Sequence, residues 1–191
     1  MTILRKTPKQ LLTESLKELA SKNTINKICV TDIARNCSMS NSNFYHHFAD
    51  KYELIAYIMN NEIDEKIGYE AMNLQTFVEQ MLDILEADNA FYSNVLSNTL
   101  FEYPNHAFFH ETLDPKIKDL IVTNCIVMSL DNKTDLLLHV YLAGITAAMC
   151  SHVINHRRSR EDLMDAFMIA IPDKLLPYVR TENVPAQEFL V

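Results

Sequence analysis

Apolar residues recur at helical spacing along almost the whole chain. Leu12, Leu16 and Leu19, with Leu11 and Ala20 beside them, form one stripe. Thr7 is placed to cap that helix, Pro8 suits its first position, and Gln10 completes a T-x-x-Q capping box. A short helix is expected over Asp32–Cys37, capped by Thr31, with Ile33 and Ala34 inward. After a tight Ser38-Met39 link, Ser40 caps a third helix, about Asn41–His47, which buries Phe44 and Phe48. Asp50 and Glu53 open a longer helix to about Lys66, lined by Leu54, Ile55, Ile58, Met59 and Ile63, with Gly68 as its stop.

The same period continues beyond. One helix is expected over Leu74–Glu86 and another from Asp88 or Asn89 to about Leu100. An aromatic stretch, Phe101–His110, is interrupted by Pro104. Asp114-Pro115 starts a helix to about Met128. Thr134 or Asp135 starts a long one to about His156, and a final helix runs from Arg160 or Glu161 to Ile171 before Pro172. Only two glycines occur, Gly68 and Gly144, with no Asn-Gly or Asp-Gly pair for hairpins. The expected fold is all-α: a three-helix helix-turn-helix head over 1–50, joined by a long helix to a larger helical body over 51–180, with a loose tail over 181–191.

Net charge is −8, which by itself disfavours a polyanionic partner. Its distribution changes that picture. Residues 1–51 hold eight Lys/Arg against four acids, net +4, and the other 140 residues are net −12. A basic head on an acidic body fits contact with DNA at one end only. The four cysteines make no CxxC pair and no zinc-like cluster with histidine, so reduced thiols and a cytoplasmic location are expected. No secretory signal opens the sequence and no unbroken apolar run reaches about 18 residues, so no membrane span is expected.

The segment Thr31–Lys51, TDIARNCSMSNSNFYHHFADK, carries the chemistry. Two short helices with a tight link can brace one helix across the DNA backbone and set the N-terminus of the other in the major groove. Asn41, Ser42 and Asn43 stand at that N-terminus. Asparagine can bond adenine at two points, and serine allows close backbone approach. Thr31, Ser40, Tyr45, His46 and Lys51 are the candidate phosphate-facing groups.

The spacing Ile33-Ala34, Met39-Ser40, Phe44-Tyr45, His47-Phe48, Lys51 and Leu54 resembles the DNA-binding head of the TetR/AcrR regulators over about residues 8–60. That resemblance implies a homodimer, recognition by Ser40–His47, base contacts at Asn41, Ser42 and Asn43, and phosphate grips at Tyr45 and Lys51. The family usually has glycine where this chain has Ser38, and often where it has Ser42. More loosely, the aromatic middle segment and Leu142–Gly144 ahead of Arg157-Arg158 resemble regulators of dihydroxyacetone-kinase operons, some of which bind a partner protein.

In the body, the resemblance pairs the last two long helices with their mates in a dimer. The small-residue run Tyr141–Met149 suits close helix approach. Phe91, Tyr92, Phe101, Tyr103, Phe109, Met128 and Tyr141 are candidates for lining an effector pocket, with ordinary core packing an equal reading. His106, His110 and Glu111 have spacing that could hold a metal, but neither a metal nor a cofactor is expected. No GxSxG, P-loop, HExxH or GxGxxG occurs, so no enzyme is expected. The leading expectation is a ligand-responsive repressor that acts as a homodimer on a palindromic operator. The alternative is a regulator, with activation as one option, whose body binds a partner protein.

Overall fold

The computed structural model describes residues 6–67, 74–98, 115–116, 130–156 and 158–176. Among these residues all regular structure is helical. The helices are α1 (Pro8–Ala20), α2 (Val30–Asn36), α3 (Asn41–His47), α4 (Lys51–Lys66), α5 (Leu74–Ala87), α6 (Asn89–Asn98), α7 (Asn132–Asn155) and α8 (Arg160–Ile169). Short 3-10 turns lie at Ile25–Lys27 and Asp173–Leu175.

Local sequence signals set most of the ends. The α1 capping box forms in both directions: Gln10 N donates to Thr7 Oγ1 at 3.3 Å and Thr7 N to Gln10 Oε1 at 2.8 Å. Ser40 accepts from Asn43 N at 3.1 Å, and Asp50 accepts from the Tyr52 and Glu53 amides at 2.8 and 2.9 Å. Two starts differ from expectation. α2 begins at Val30, capped by a reciprocal Cys29–Asp32 pair, so Thr31 lies inside the first turn and caps nothing. α7 begins at Asn132, because Asp131 accepts from the Lys133 and Thr134 amides before Thr134 or Asp135 can serve. Hydrogen bonds, first from Thr134, hold the Asp131 carboxyl down at about 2. α4 ends at Lys66, with Ile67 at its C-cap; Gly68, most of the expected 114–128 helix and the 181–191 tail lie outside the described residues.

The head core joins Leu12, Leu16, Ile25, Ile33, Phe44, Phe48 and Leu54, all buried. Ser15, buried among them, donates from its hydroxyl to Ile33 O at 2.7 Å, so this polar group stays satisfied. The same buried cluster continues through Phe77, Met81, Leu85, Tyr92, Leu138, Leu142 and Val153. α7 is the long, nearly all-round apolar helix that the sequence pattern predicts. It has 24 residues with a mean hydropathy of 1.6 over its most apolar window, enough by length and composition to cross a membrane. Half of that window is buried inside the protein. A buried core helix meets the same length and composition test, so this does not overturn the expectation of no membrane span.

Two polar clusters tie the head to the body. Lys17 of α1 bonds Glu62 of α4 at 2.5 Å and Asp88, just ahead of α6, at 2.8 Å. Tyr92 donates to Glu62 at 2.7 Å, and the Lys17 ammonium lies 5.3 Å from the Phe91 ring centre. Burial alone lowers the Lys17 pKa, but hydrogen bonds and charge from Asp88 and Glu62 outweigh it and raise it. Burial, reinforced by the Glu62 charge, pushes the Tyr92 hydroxyl up. Asn94 of α6 forms the second tie: it donates to Ala20 O at 2.7 Å and Asn23 O at 2.8 Å, and accepts from Ile25 N at 3.0 Å.

Candidate nucleic-acid interface

α2 and α3 are joined by a turn that requires a left-handed residue. Ser38 takes it, at φ 59°. Met39 N then bonds Ala34 O at 2.8 Å and Ser38 N bonds Arg35 O at 3.0 Å, the two bonds of a Schellman ending. The strain expected from Ser38 in a glycine position is therefore present. This turn fixes α3 against α2, and Phe44, fully buried, anchors α3 from below.

The opposite face of α3 is exposed. Ser40, Ser42, Asn43, Tyr45 and His46 line an open groove of about 590 Å³. Asn41, Ser42 and Asn43 are all exposed at the first turn. Asn41 Nδ2 donates to Thr31 Oγ1 at 2.9 Å, which ties the start of α3 to α2 and fixes the amide's orientation. Tyr45 is 59% exposed, with its ring edge-on to Phe44 at 5.6 Å. It is therefore a surface residue, with a polar tip free to reach outward. His46 is exposed and stacks edge-on with half-buried His47 at 5.1 Å. Phe48 is core and packs on Tyr57 at 5.3 Å, with the Lys9 ammonium over both rings.

The Lys51 side chain, which the motif implies as a phosphate grip, lies against backbone carbonyls in the structure. Its ammonium donates to Ile25 O and Ile28 O at 3.1 Å and to Asn26 O at 3.4 Å. Three carbonyls occupy the three donors of an ammonium. The charge split between head and body also has an internal component. Lys17 is spent on Glu62 and Asp88, Lys22 pairs with Glu18, and Lys6 pairs with Glu14. α3 itself holds no lysine or arginine; it offers amides, hydroxyls and two histidines.

Of the candidate pocket residues, Phe91 and Tyr92 are buried core, and Tyr141 is buried with its hydroxyl on Phe167 O at 2.7 Å. Phe101, Tyr103, Phe109, Met128, His106, His110 and Glu111 lie outside the described residues. Sequence reasoning missed the Asn94 tie, the Lys17 cluster and the Lys51 carbonyl contacts. It also missed Arg160, which pins α8 to α5 through Asp83, Glu86 and Glu79 O.

No protein-family model matches the chain, and no curated protein matches it in sequence. Solved structures do match in fold. The dihydroxyacetone kinase operon activator DhaS superposes with a TM-score of 0.60 at 19% identity, covering 84% of this chain and 92% of that one. A TetR transcriptional regulator from Rhodococcus sp. RHA1 gives 0.59 at 14% identity, over 87% and 95%. A TetR-family regulator from Streptomyces coelicolor gives 0.58 at 14%, over 83% and 78%. The chain has the all-helical fold of TetR-family transcriptional regulators.

Proposed function

We propose that this chain is a TetR-family transcriptional regulator that binds duplex DNA through α3. The carrying observation is the α3 face itself. It is an open, polar, amide- and hydroxyl-rich helix start, held by a buried aromatic anchor and a Schellman turn, within a fold whose solved neighbours are transcriptional regulators. Asn43, Ser42 and Asn41 would read base edges. Ser40, Thr31, Tyr45, His46 and the α3 amides would meet phosphates.

A homodimer is the working form in this reading. Four large apolar side chains are exposed among the described residues: Tyr45 on α3, and Leu136, Val140 and Ile169 on α7 and α8. Leu136, Val140 and Gly144 recur every fourth residue, and a Cβ built on Gly144 meets nothing within 4 Å. An apolar face with a flat glycine position suits close helix packing with a second copy. Two heads would then meet successive major grooves about 34 Å apart.

An effector read by the body would regulate binding by favouring one head separation over the other. Repression follows most directly, since a bound dimer occludes the DNA it covers. The site of action would be the cytoplasm. Titrating labelled duplex with the full chain tests this reading. Saturable binding at two chains per palindromic site supports it; affinity that is weak and identical for all duplexes overturns it.

A further inference from the structure

The backbone of one residue, Ile25, is held from two sides. Its N–H donates to Asn94 Oδ1 at 3.0 Å, and its carbonyl accepts from Lys51 Nζ at 3.1 Å. Asn94 belongs to α6, in the body. Lys51 is the first residue of α4, directly after the short link that follows the recognition helix. The Ile25 side chain is fully buried, so this peptide cannot shift without moving the head core. Asn94 also holds Ala20 O and Asn23 O, and Lys51 also holds Asn26 O and Ile28 O. Together the two side chains hold the end of α1 at Ala20 and the α1–α2 connection at Asn23, Ile25, Asn26 and Ile28.

We infer that Asn94 and Lys51 form one clamp on the Ile25 backbone that sets the angle of the recognition helix to the body, which makes Lys51 a positioning residue rather than a phosphate ligand. The proposal rests on the DNA-binding reading above. For the ammonium to turn toward a phosphate, it would have to leave three carbonyls, those of Ile25 and Ile28 in part-buried surroundings. Asn94 is the body's hold on the same peptide. A displacement of α6 that moves Asn94 then reaches the start of α4, and so α3, through the Ile25 peptide.

Salt dependence separates the two roles of Lys51. A lost phosphate contact lowers the slope of log affinity against log salt by about one. A lost brace weakens binding and leaves the slope unchanged. Operator affinity of the full chain is measured across salt concentrations for wild type, Lys51→Met, Asn94→Leu and the double variant. We expect each single variant to lose about tenfold or more with an unchanged slope. The double variant should lose little more than the worse single one, because both act on one peptide. A slope lower by about one in Lys51→Met, or losses that multiply, overturns the clamp.

Two measurements do not depend on DNA-binding by the variants. The wild-type Lys51 ammonium, followed by NMR as operator is added, should show no coupling between its nitrogen and a DNA phosphorus; such a coupling overturns the assignment. Amide exchange at Ile25 should accelerate in both Asn94→Leu and Lys51→Met, and unchanged exchange in either also overturns it. If wild type binds no duplex, the regulator reading falls, and Ile25 exchange still decides whether the clamp exists.

Discussion

Ser38 holds a left-handed backbone conformation that an L side chain adopts at a cost of roughly 1–2 kcal/mol, part of which glycine recovers. Ser38→Gly should therefore raise stability by about 1 kcal/mol in urea unfolding, with α3 unmoved. A loss of stability would mean that the serine hydroxyl supplies something the backbone account omits. The need for this conformation was legible only through the family resemblance, which usually has glycine at this position. Other residue-scale features were not legible. Thr31 looked like a cap because threonine commonly is one; the helix starts earlier, at Val30, with Asp32 accepting from the Cys29 amide, and the Thr31 hydroxyl receives Asn41 instead. Asn43→Ala should cost about 1–3 kcal/mol of operator affinity, confined to one base position per half-site. Uniform loss over all sequences would remove Asn43 from base reading.

Helix starts were the most readable elements, since caps are chosen by residues within three or four positions of one another. The α1, α3 and α4 starts follow that local logic. Contacts across the chain gave no such signal. Lys17 and Asp88 are 71 positions apart, and nothing in either neighbourhood marks them as partners. Removing Lys17 as Lys17→Met leaves Glu62 and Asp88 without their cation. It should cost about 2 kcal/mol, below the range for fully buried pairs because Lys17 keeps 24% side-chain exposure. The pH dependence has a definite sign. The folded-state pKa of Lys17 lies above its ordinary 10.5, so its contribution is complete below pH 10.5 and fades as pH rises through the folded value. The stability gap between wild type and Lys17→Met should therefore be flat at neutral pH and shrink in strongly alkaline solution. A gap that widens with alkali would contradict this account of the cluster.

At the scale of the molecule, the fold class followed from the near absence of glycine and the helical period along most of the chain. The charge split pointed toward the head, although part of the head's positive charge is spent on the body's acids. The body's partner surfaces were less legible, because an all-round apolar helix does not reveal which face its own subunit covers. In the structure, α7 leaves Leu136, Val140 and Gly144 outside. Val140→Glu, or Ile169→Glu on α8, should convert a dimer to monomers in sedimentation while preserving helical content. An unchanged mass would move the interface elsewhere. The central claim is that α3 reads duplex DNA. Its most direct test is selection of bound duplexes from a randomised pool by the wild-type chain and by Asn43→Ala. The account predicts enrichment of a palindrome with half-sites about one helical turn apart, or a multiple of it, and relaxed preference at one symmetric position pair in the variant. No enrichment by wild type, or an identical selected sequence with Asn43→Ala and with equivalent changes at Asn41 and Ser42, would contradict it.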